Sequence, residues 1–112
     1  EKEIVIAADR DQLKRTVVNL IRNSIQAGSD NIFVSIKFEN ENCVLRIRDD
    51  GKGISEENVP KVFDDNFTTK KGGMGIGLSI AKKFINSIGG NIFVESTSEK
   101  GTTFLITIPL AE

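Results

Sequence analysis

The middle of the chain, residues 43–54, reads CVLRIRDDGKGI, and it decides how the sequence around it is interpreted. Cys43, Leu45 and Ile47 occupy every second position of this run, which predicts a strand with one apolar face. If the strand continues, Asp49 lies on that apolar face. A carboxylate in such a place must be paired or hydrogen-bonded, because burying it alone costs several kcal/mol.

Two interpretations of Asp49 are open at this point. As a turn residue just past the strand, Asp49 would cap the turn that contains Gly51 and Gly53. As a binding residue, it would lie at the mouth of an apolar pocket and accept a hydrogen bond from an N–H group of a ligand. The two glycines would then let that ligand approach the backbone closely.

Apolar alternation on both sides of this segment predicts further strands. Residues 31–39 are expected to pair with residues 43–49 as a hairpin that turns at residues 40–42, with one face buried. That buried face would consist of Ile32, Val34, Ile36 and Phe38. A short strand at residues 4–7 begins almost at the first residue, which suggests a piece excised from a longer protein. The predicted strands are residues 4–7, 31–39, 43–49, 91–96 and 103–109.

Helical periodicity predicts a long first helix, with Asp9 as its N-cap and Gly28 at its end. The residues expected on its core face are Leu13, Val17, Leu20, Ile21, Ser24 and Ile25. A short second helix is expected from Ser55 to Phe63, with Pro60 tolerated or kinking it.

A polar, glycine-rich stretch at residues 64–75 predicts a loop, and a third helix follows it from Ile76. In this helix Ile80, Phe84 and Ile88 repeat at four-residue spacing, and Gly89 and Gly90 stop it. The elements predict an α+β fold, a two-layer sandwich in which three helices cover one face of a mixed sheet of about five strands. We expect residues 1–112 to form a single domain.

Composition excludes several classes of chemistry. The 112 residues include 15 basic and 16 acidic side chains, one cysteine and no histidine. A net charge of −1 argues against nucleic-acid binding, and no apolar run approaches the roughly 20 residues of a membrane span. Without histidine, the chain itself has no Ser-His-Asp or Cys-His catalysis and no histidine-ligated metal.

Four polar residues share the face of the first helix that lies opposite its core stripe: Asn19, Arg22, Asn23 and Gln26. One interpretation is an ordinary solvated face, although two asparagines are poor helix formers. The alternative is a cation site, because amide oxygens are hard ligands suited to Mg²⁺ that is otherwise bound by water and phosphate.

The run Lys70 to Gly77 reads KKGGMGIG and leads directly into the third helix. Its backbone N–H groups can converge on an anion beside the helix N-terminus. It is neither a dinucleotide fingerprint, which needs a preceding strand, nor a Walker loop. The alternative interpretation of this run is a flexible hinge loop. Thr102, near the start of the last strand, is by default a β-forming residue.

Five segments follow one another in a specific order: NLIRNS (residues 19–24), DDGKGI (49–54), VF with FTTK (62–63 and 67–70), GMGIGLS (73–79) and GTTF (101–104). In order and spacing, they resemble the ATP-binding catalytic domain of bacterial-type sensor histidine kinases. The resemblance covers nearly the whole chain. It extends more loosely to the Bergerat-fold superfamily of type II topoisomerases, mismatch-repair ATPases and a chaperone family.

The resemblance implies a site for ATP and Mg²⁺. Asn23, and more peripherally Asn19, would hold the Mg²⁺ that bridges the ATP phosphates, and with Lys70 they are the expected catalytic residues. Asp49 would accept a hydrogen bond from the adenine amine, and Thr102 would reach the adenine edge through water. The other residues expected at the nucleotide are Arg22, Gln26, Gly51, Gly53, Ile54, Thr68, Thr69, Gly73, Met74, Gly75, Ile76, Gly77 and Leu78, the glycines from Gly73 onward forming a lid.

The sequence departs from the family pattern at a few positions. Family members often have alanine in place of Ser24 and a basic residue in place of Gln26, so that Arg22, Lys70 or Lys71 would have to supply the cation. Asp50 replaces the usual asparagine. The segment between Phe63 and Phe67 lacks the usual proline.

The resemblance also implies a reaction and its partners. The domain would donate the γ-phosphate of ATP to a histidine on a separate dimerisation domain of the same kinase, and would act on a response regulator only indirectly. We expect the isolated domain to be monomeric and cytoplasmic, without direct membrane contact, and unable to phosphorylate itself on histidine.

Two rival functions remain. A Bergerat-fold ATPase would hydrolyse ATP, but those enzymes carry a glutamate base where Asn19 stands, and an amide cannot accept the proton of the attacking water. A nucleotide-gated binding module, similar to an anti-sigma kinase, would act mainly by forming complexes.

Overall fold

The computed structural model describes residues 10–26, 28–64 and 75–110. These ranges contain two α-helices and four strands: α1 Arg10–Gln26, β1 Ile32–Glu39, β2 Asn42–Asp49, α2 Gly75–Ser87, β3 Asn91–Ser98 and β4 Gly101–Pro109. Neither of these helices is long and apolar enough to cross a membrane. The α+β class predicted from the sequence is confirmed.

The four strands form one sheet in the order β1-β2-β4-β3, and every neighbouring pair is antiparallel. A mixed sheet of about five strands was expected. Among the described strands no parallel pair occurs, and the strand predicted at residues 4–7 lies outside the described residues. The hairpin β1–β2 is confirmed. Its turn consists of two residues, Asn40 and Glu41, whose φ values of 50° and 65° are those of a type I′ turn.

Both helices pack on one face of the sheet, with α1 against α2 and β2, and α2 against β3. The largest fully buried side chains come from both layers. They are Phe104, Leu20, Ile47, Ile85, Ile92, Ile106 and Val62. This core fixes the end of β2, and with it Asp49, relative to α1.

The buried stripe of α1 is centred on Thr16, Leu20 and Ser24, which repeat at four-residue spacing. Ile25 was expected in this stripe, but it is 59% exposed because it lies about 100° around the helix from Ser24. In α2, similarly, Ile80 is 47% exposed, although the sequence pattern groups it with Phe84 and Ile88.

The prediction of a buried face on β1 is wrong at three of its four positions, since of these residues only Ile32 packs against the core. Val34, Ile36 and Phe38 are 49%, 59% and 50% exposed, although they alternate as a half-buried strand would. Among the described strands β1 is an edge strand, and its neighbour β2 is the strand that α1 packs against. Alternation shows which residues share a face, but only the position of the helices decides whether that face is covered.

The expected second helix is also wrong. Residues 55–61 form a turn followed by the single 3₁₀ turn Val59–Lys61, which contains no buried residue. Pro60 lies within its first two positions and has no N–H group to extend a hydrogen-bonded helix. The third helix is confirmed as α2, and its C-terminal stop is confirmed as well: Gly89 has a φ of 83°, and the N–H of Gly90 donates to the carbonyl of Ile85 at 2.9 Å.

Candidate functional site

Asp49 lies at the end of β2 and is only 5% exposed. Its Oδ1 accepts hydrogen bonds from the backbone N–H of Gly51 at 2.9 Å and from that of Thr102 at 3.2 Å. Its Oδ2 accepts no hydrogen bond from a described residue. The turn interpretation of Asp49 is confirmed for Oδ1, which holds the turn and the start of β4. Asp49 is not among the residues that line the cleft described below, and its role toward a ligand stays a prediction.

The turn after Asp49 packs closely against the backbone of β3 and β4. A Cβ on Gly53, whose φ is 80°, would lie 1.9 Å from the carbonyl oxygen of Ser98. A Cβ on Gly101 would lie 1.9 Å from the carbonyl oxygen of Asp49. Glycine is required at these two positions because protein backbone approaches them, whereas the sequence suggested that Gly53 makes room for a ligand.

A cleft of ≈ 730 Å³ opens between α1, the glycine turn, the 3₁₀ turn and the end of β3. Four of the expected nucleotide-site residues line it, namely Asn23, Gly53, Ile54 and Leu78. Its other lining residues are Lys52, Ser55, Glu56, Asn58, Val59, Val62, Thr97, Ser98 and Glu99. The cleft has apolar walls and a rim of polar side chains, as small-molecule sites commonly do.

Asn23 and Asn19 lie one turn apart on α1, and both are half-buried. Asn23 reaches the cleft, whereas Asn19 is not among its lining residues. Arg22 and Gln26, expected beside them, are exposed and do not line the cleft either. The structure thus separates the four polar residues of this face into a pair that is partly sheltered and a pair that faces solvent.

Thr97 is a site residue that sequence reasoning missed. It lies on β3, lines the cleft, and is paired in register with Thr102 on β4. Its Oγ1 accepts a hydrogen bond from the backbone N–H of Ile54 at 2.9 Å and lies 2.9 Å from Oγ1 of Thr102. Thr102 is 4% exposed and does not line the cleft, so it is connected to it through Thr97. The sequence contained one signal for this residue, because the two threonines lie five positions apart across the predicted β3–β4 turn.

Asp50, next to Asp49, has a different role. Its carboxylate accepts three hydrogen bonds, from the backbone N–H of Asp30 and of Asn31 and from the side-chain amide of Asn31, at 2.8 to 3.0 Å. These bonds, those from Asn31 above all, lower the pKa of the Asp50 carboxyl. Asp50 therefore fixes the connection between α1 and β1 and faces away from the buried carboxylate beside it.

Several expected site residues cannot be placed. Thr68, Thr69, Lys70, Lys71, Gly73 and Met74 lie outside the described residues. Gly75, Ile76 and Gly77 form the first turn of α2, and only the backbone of that turn is described. Leu78, the next residue, is buried and contacts the cleft. The N-terminus of α2 thus lies at this side of the cleft.

The α+β sandwich thus brings a helix-borne asparagine and a glycine turn to one cleft, and a buried carboxylate lies at the end of the strand that precedes this turn. The chain belongs to the histidine kinase-, DNA gyrase B- and HSP90-like ATPase family, whose model matches residues 8–112.

Within this family, the chain is similar to the catalytic domains of histidine kinases. It is 36% identical over 110 residues to sporulation kinase E of Bacillus subtilis, covering 96% of this chain and 15% of that protein. It is 31% identical over 122 residues to the sensor histidine kinase WalK of Bacillus subtilis, covering 100% of this chain and 20% of that protein. Among solved structures, the nucleotide-free catalytic domain of histidine kinase ThkA has 36% identity and a TM-score of 0.81, with 93% of this chain and 70% of that chain covered.

These similarities identify the domain but not a whole enzyme. The chain is a catalytic ATPase domain of the histidine kinase type. It spans only 15% to 20% of the length of the two curated relatives above.

Proposed function

We propose that this domain binds ATP together with Mg²⁺ and donates the γ-phosphate to a histidine on a separate dimerisation domain of its parent kinase. In this proposal a response regulator receives the phosphoryl group indirectly, and the domain itself is a cytoplasmic monomer. The phosphoryl transfer would open a two-component signalling reaction.

The observation that carries the proposal is the half-satisfied carboxylate of Asp49. Both of its hydrogen bonds within the described ranges reach Oδ1, and the residue is 5% exposed. Oδ2 accepts no hydrogen bond from a described residue, so an N–H group of a ligand can donate to it, and a hydrogen bond to an ionised oxygen is a strong one. The exocyclic amine of adenine supplies such a donor, and Ile54, Val62 and Leu78 in the cleft provide apolar surface for a planar base.

The residues on α1 fit a magnesium ion that is shared with phosphate. The described residues contain no cluster of three or more cysteine and carboxylate side chains that would hold a metal by themselves. Asn23 and Asn19 offer amide oxygens, which are hard ligands, and Mg²⁺ typically takes only one or two protein ligands beside water and phosphate oxygens. When bound, Mg²⁺ neutralises charge on the phosphates during phosphoryl transfer. Asn23 would hold it at the cleft, and Asn19 would support it from one turn away.

The phosphoryl acceptor lies outside this chain in our proposal, because none of the 112 residues is histidine. Water is a poor alternative acceptor here. Asn19 occupies the position at which hydrolysing relatives carry a glutamate, and its amide cannot take a proton from water. Phosphoryl transfer depends mainly on positioning and charge neutralisation, which a domain without a catalytic base can still supply.

The experiment is a transfer assay with three distinguishable outcomes. The domain is mixed with γ-labelled ATP, Mg²⁺ and the histidine-bearing dimerisation domain of its parent kinase. We expect acid-labile label on the dimerisation domain and little free phosphate. Rapid release of labelled phosphate by the catalytic domain alone would instead identify an ATPase, and nucleotide binding with neither transfer nor release would identify a binding module.

A matched pair of variants tests the site in the same assay. Asp49→Asn should lose transfer at limiting ATP, whereas Asp30→Asn makes the same exchange on an exposed side chain outside the cleft and should behave like the wild type. Equal transfer by both variants would contradict the assignment of Asp49.

A further inference from the structure

We propose that Lys82 is a positioning residue, which holds Phe63 and the adjoining wall of the cleft close to α2. Lys82 would thereby strengthen nucleotide binding without contacting the nucleotide. The inference rests on the proposed binding of ATP in this cleft, and it assigns a role to a residue outside the sequence segments that resemble the family.

Two apolar walls of the cleft belong to different parts of the chain. Leu78 is a residue of α2, whereas Val59 and Val62 belong to the 3₁₀ turn and the residue after it, and all three line the cleft. The distance between α2 and the 3₁₀ turn is therefore a dimension of the cleft. A gap of about 0.5–1 Å already forfeits roughly a quarter to a half of the attraction between packed atoms, so a small displacement of one wall weakens the packing of a ligand.

The wall at the 3₁₀ turn is attached to the rest of the domain mainly by side chains. In the described structure, the backbone hydrogen bonds of residues 55–64 join residues within that segment. The turn Val59–Lys61 itself contains no buried residue. Val62 and Phe63 follow it and pack against the core, and Val62 is 2% exposed. The contacts of these two side chains therefore decide where the wall lies.

The ring of Phe63 contacts both layers of the fold. It meets the ring of Phe104 on β4 edge-on, with the centroids 6.1 Å apart and the planes at 71°. Nζ of Lys82 on α2 lies over the face of the same ring, 5.2 Å from its centroid. An ammonium group within about 6 Å of an aromatic face is attracted by the negative potential of that face. Packing thus attaches Phe63 to the sheet, and a charge attaches it to α2.

Lys82 is well placed for this role because its own position is fixed. It follows Leu78 by four residues on α2, so the two side chains lie on the same face of the helix. Lys82 is half-buried, and its Nζ donates a hydrogen bond to the carbonyl oxygen of Ile92 on β3 at 3.3 Å. A side chain that is already ordered loses little further entropy when it also contacts a ring. Lys82 therefore connects the helix that carries Leu78 to the wall that adjoins Phe63.

The experiment compares Lys82→Met, which keeps the aliphatic chain and removes the charge, with Lys82→Arg, which keeps a charge over the ring. Lys83→Met makes the same exchange at the next position of α2, which is exposed, and serves as the control. ATP binding is measured by calorimetry with Mg²⁺ present. We expect Lys82→Met to weaken ATP binding by about 2- to 5-fold, the effect of one cation–π contact, and the other two variants to bind ATP like the wild type. In the transfer assay, the KM for ATP should rise by the same factor at unchanged kcat.

A double-mutant cycle separates this role from a purely structural one, in which Lys82 only caps the carbonyl of Ile92. Phe63→Leu removes the ring and keeps an apolar side chain. If Lys82 acts through the ring, Lys82→Met should cause no further loss of ATP affinity in the Phe63→Leu background. The same loss in both backgrounds would overturn the inference.

Unchanged ATP affinity in Lys82→Met, beside a wild type that binds ATP, would overturn the inference and leave the proposed function intact. A wild type that binds no ATP would overturn the proposed function, and the inference with it. Circular dichroism shows whether each variant is folded, and Lys82→Gln provides the same comparison if the methionine variant is not.

Discussion

The exchange of Asp49 for asparagine changes one atom of the proposed adenine site and little else. Asparagine has the same shape, and its side-chain oxygen can take the place of Oδ1, where it still accepts from the backbone N–H groups of Gly51 and Thr102. Its side-chain nitrogen then replaces Oδ2. The variant thus keeps the two bonds that hold the turn and β4, and it presents a donor where the wild type presents an acceptor.

The size of the effect follows from this single replacement. A hydrogen bond to a charged group contributes about 1.5–3 kcal/mol net, and a neutral one about 1 kcal/mol. We therefore expect Asp49→Asn to weaken ATP binding by about 1–3 kcal/mol, which is roughly 5- to 150-fold in Kd. Stability should change much less, because both hydrogen bonds within the fold are preserved.

The assay is calorimetric titration of the folded domain with Mg²⁺ and a set of nucleotides. Purine riboside triphosphate lacks the C6 amine, so it should bind the variant and the wild type with similar affinity. Inosine triphosphate carries an acceptor at C6, so its affinity relative to ATP should rise in the variant. Asp30→Asn, the matched exchange on an exposed side chain, should leave all three affinities unchanged.

Two results would refute the reasoning. Unchanged ATP affinity in Asp49→Asn would show that Asp49 does not contact the base. An equal loss of affinity for ATP and for purine riboside triphosphate would show that the substitution disturbs the cleft as a whole and leaves the amine contact unsupported.

Three further predictions concern stability. Ser24 is fully buried, and among the described residues its Oγ has no hydrogen-bond partner. Ser24→Ala should therefore raise the free energy of unfolding by about 1 kcal/mol in urea denaturation, and a decrease would show that the hydroxyl is satisfied in solution. Glu41 has a φ of 65° in the type I′ turn, a position that favours glycine. Glu41→Gly should therefore raise the free energy of unfolding by about 0.5–1 kcal/mol in the same measurement. An unchanged free energy of unfolding would argue that this backbone conformation is not strained. Hydrogen bonds lower the pKa of two carboxyl groups, that of Asp50 through Asn31 and that of Glu95 through Arg46. The folded state therefore binds fewer protons than the unfolded state, and thermal stability should fall as the pH drops below about 4.5. A melting temperature that stays constant between about pH 5 and 3 would contradict this prediction.

Much of the fold follows from local sequence. Alternation located β2 and the β1–β2 hairpin, and Gly89 and Gly90 located the end of α2, because strand period, turn chemistry and capping act over a few residues. The expected second helix failed for an equally local reason, since Pro60 lies where a continuing helix needs an N–H group. The exposure of β1 and of Ile25 could not be inferred in this way, because it depends on which parts of the sheet the helices cover.

The candidate site shows the same division. The sequence by itself determined the kinds of group at hand: a carboxylate at the end of an apolar strand, a glycine turn after it, and amides on a helix with no histidine anywhere in the chain. The tertiary structure decided how they are used. Pairing of β4 with β2 and β3 brings Thr102 to Asp49 and Thr97 to Thr102, so that one carboxylate oxygen is engaged within the fold. In our proposal, the other oxygen accepts from the ligand. Gly53 is required because Ser98, 45 positions further along the chain, places its carbonyl oxygen against it. Hydrogen bonds between strands far apart in sequence leave no periodic signal, and for that reason only the folded chain shows them.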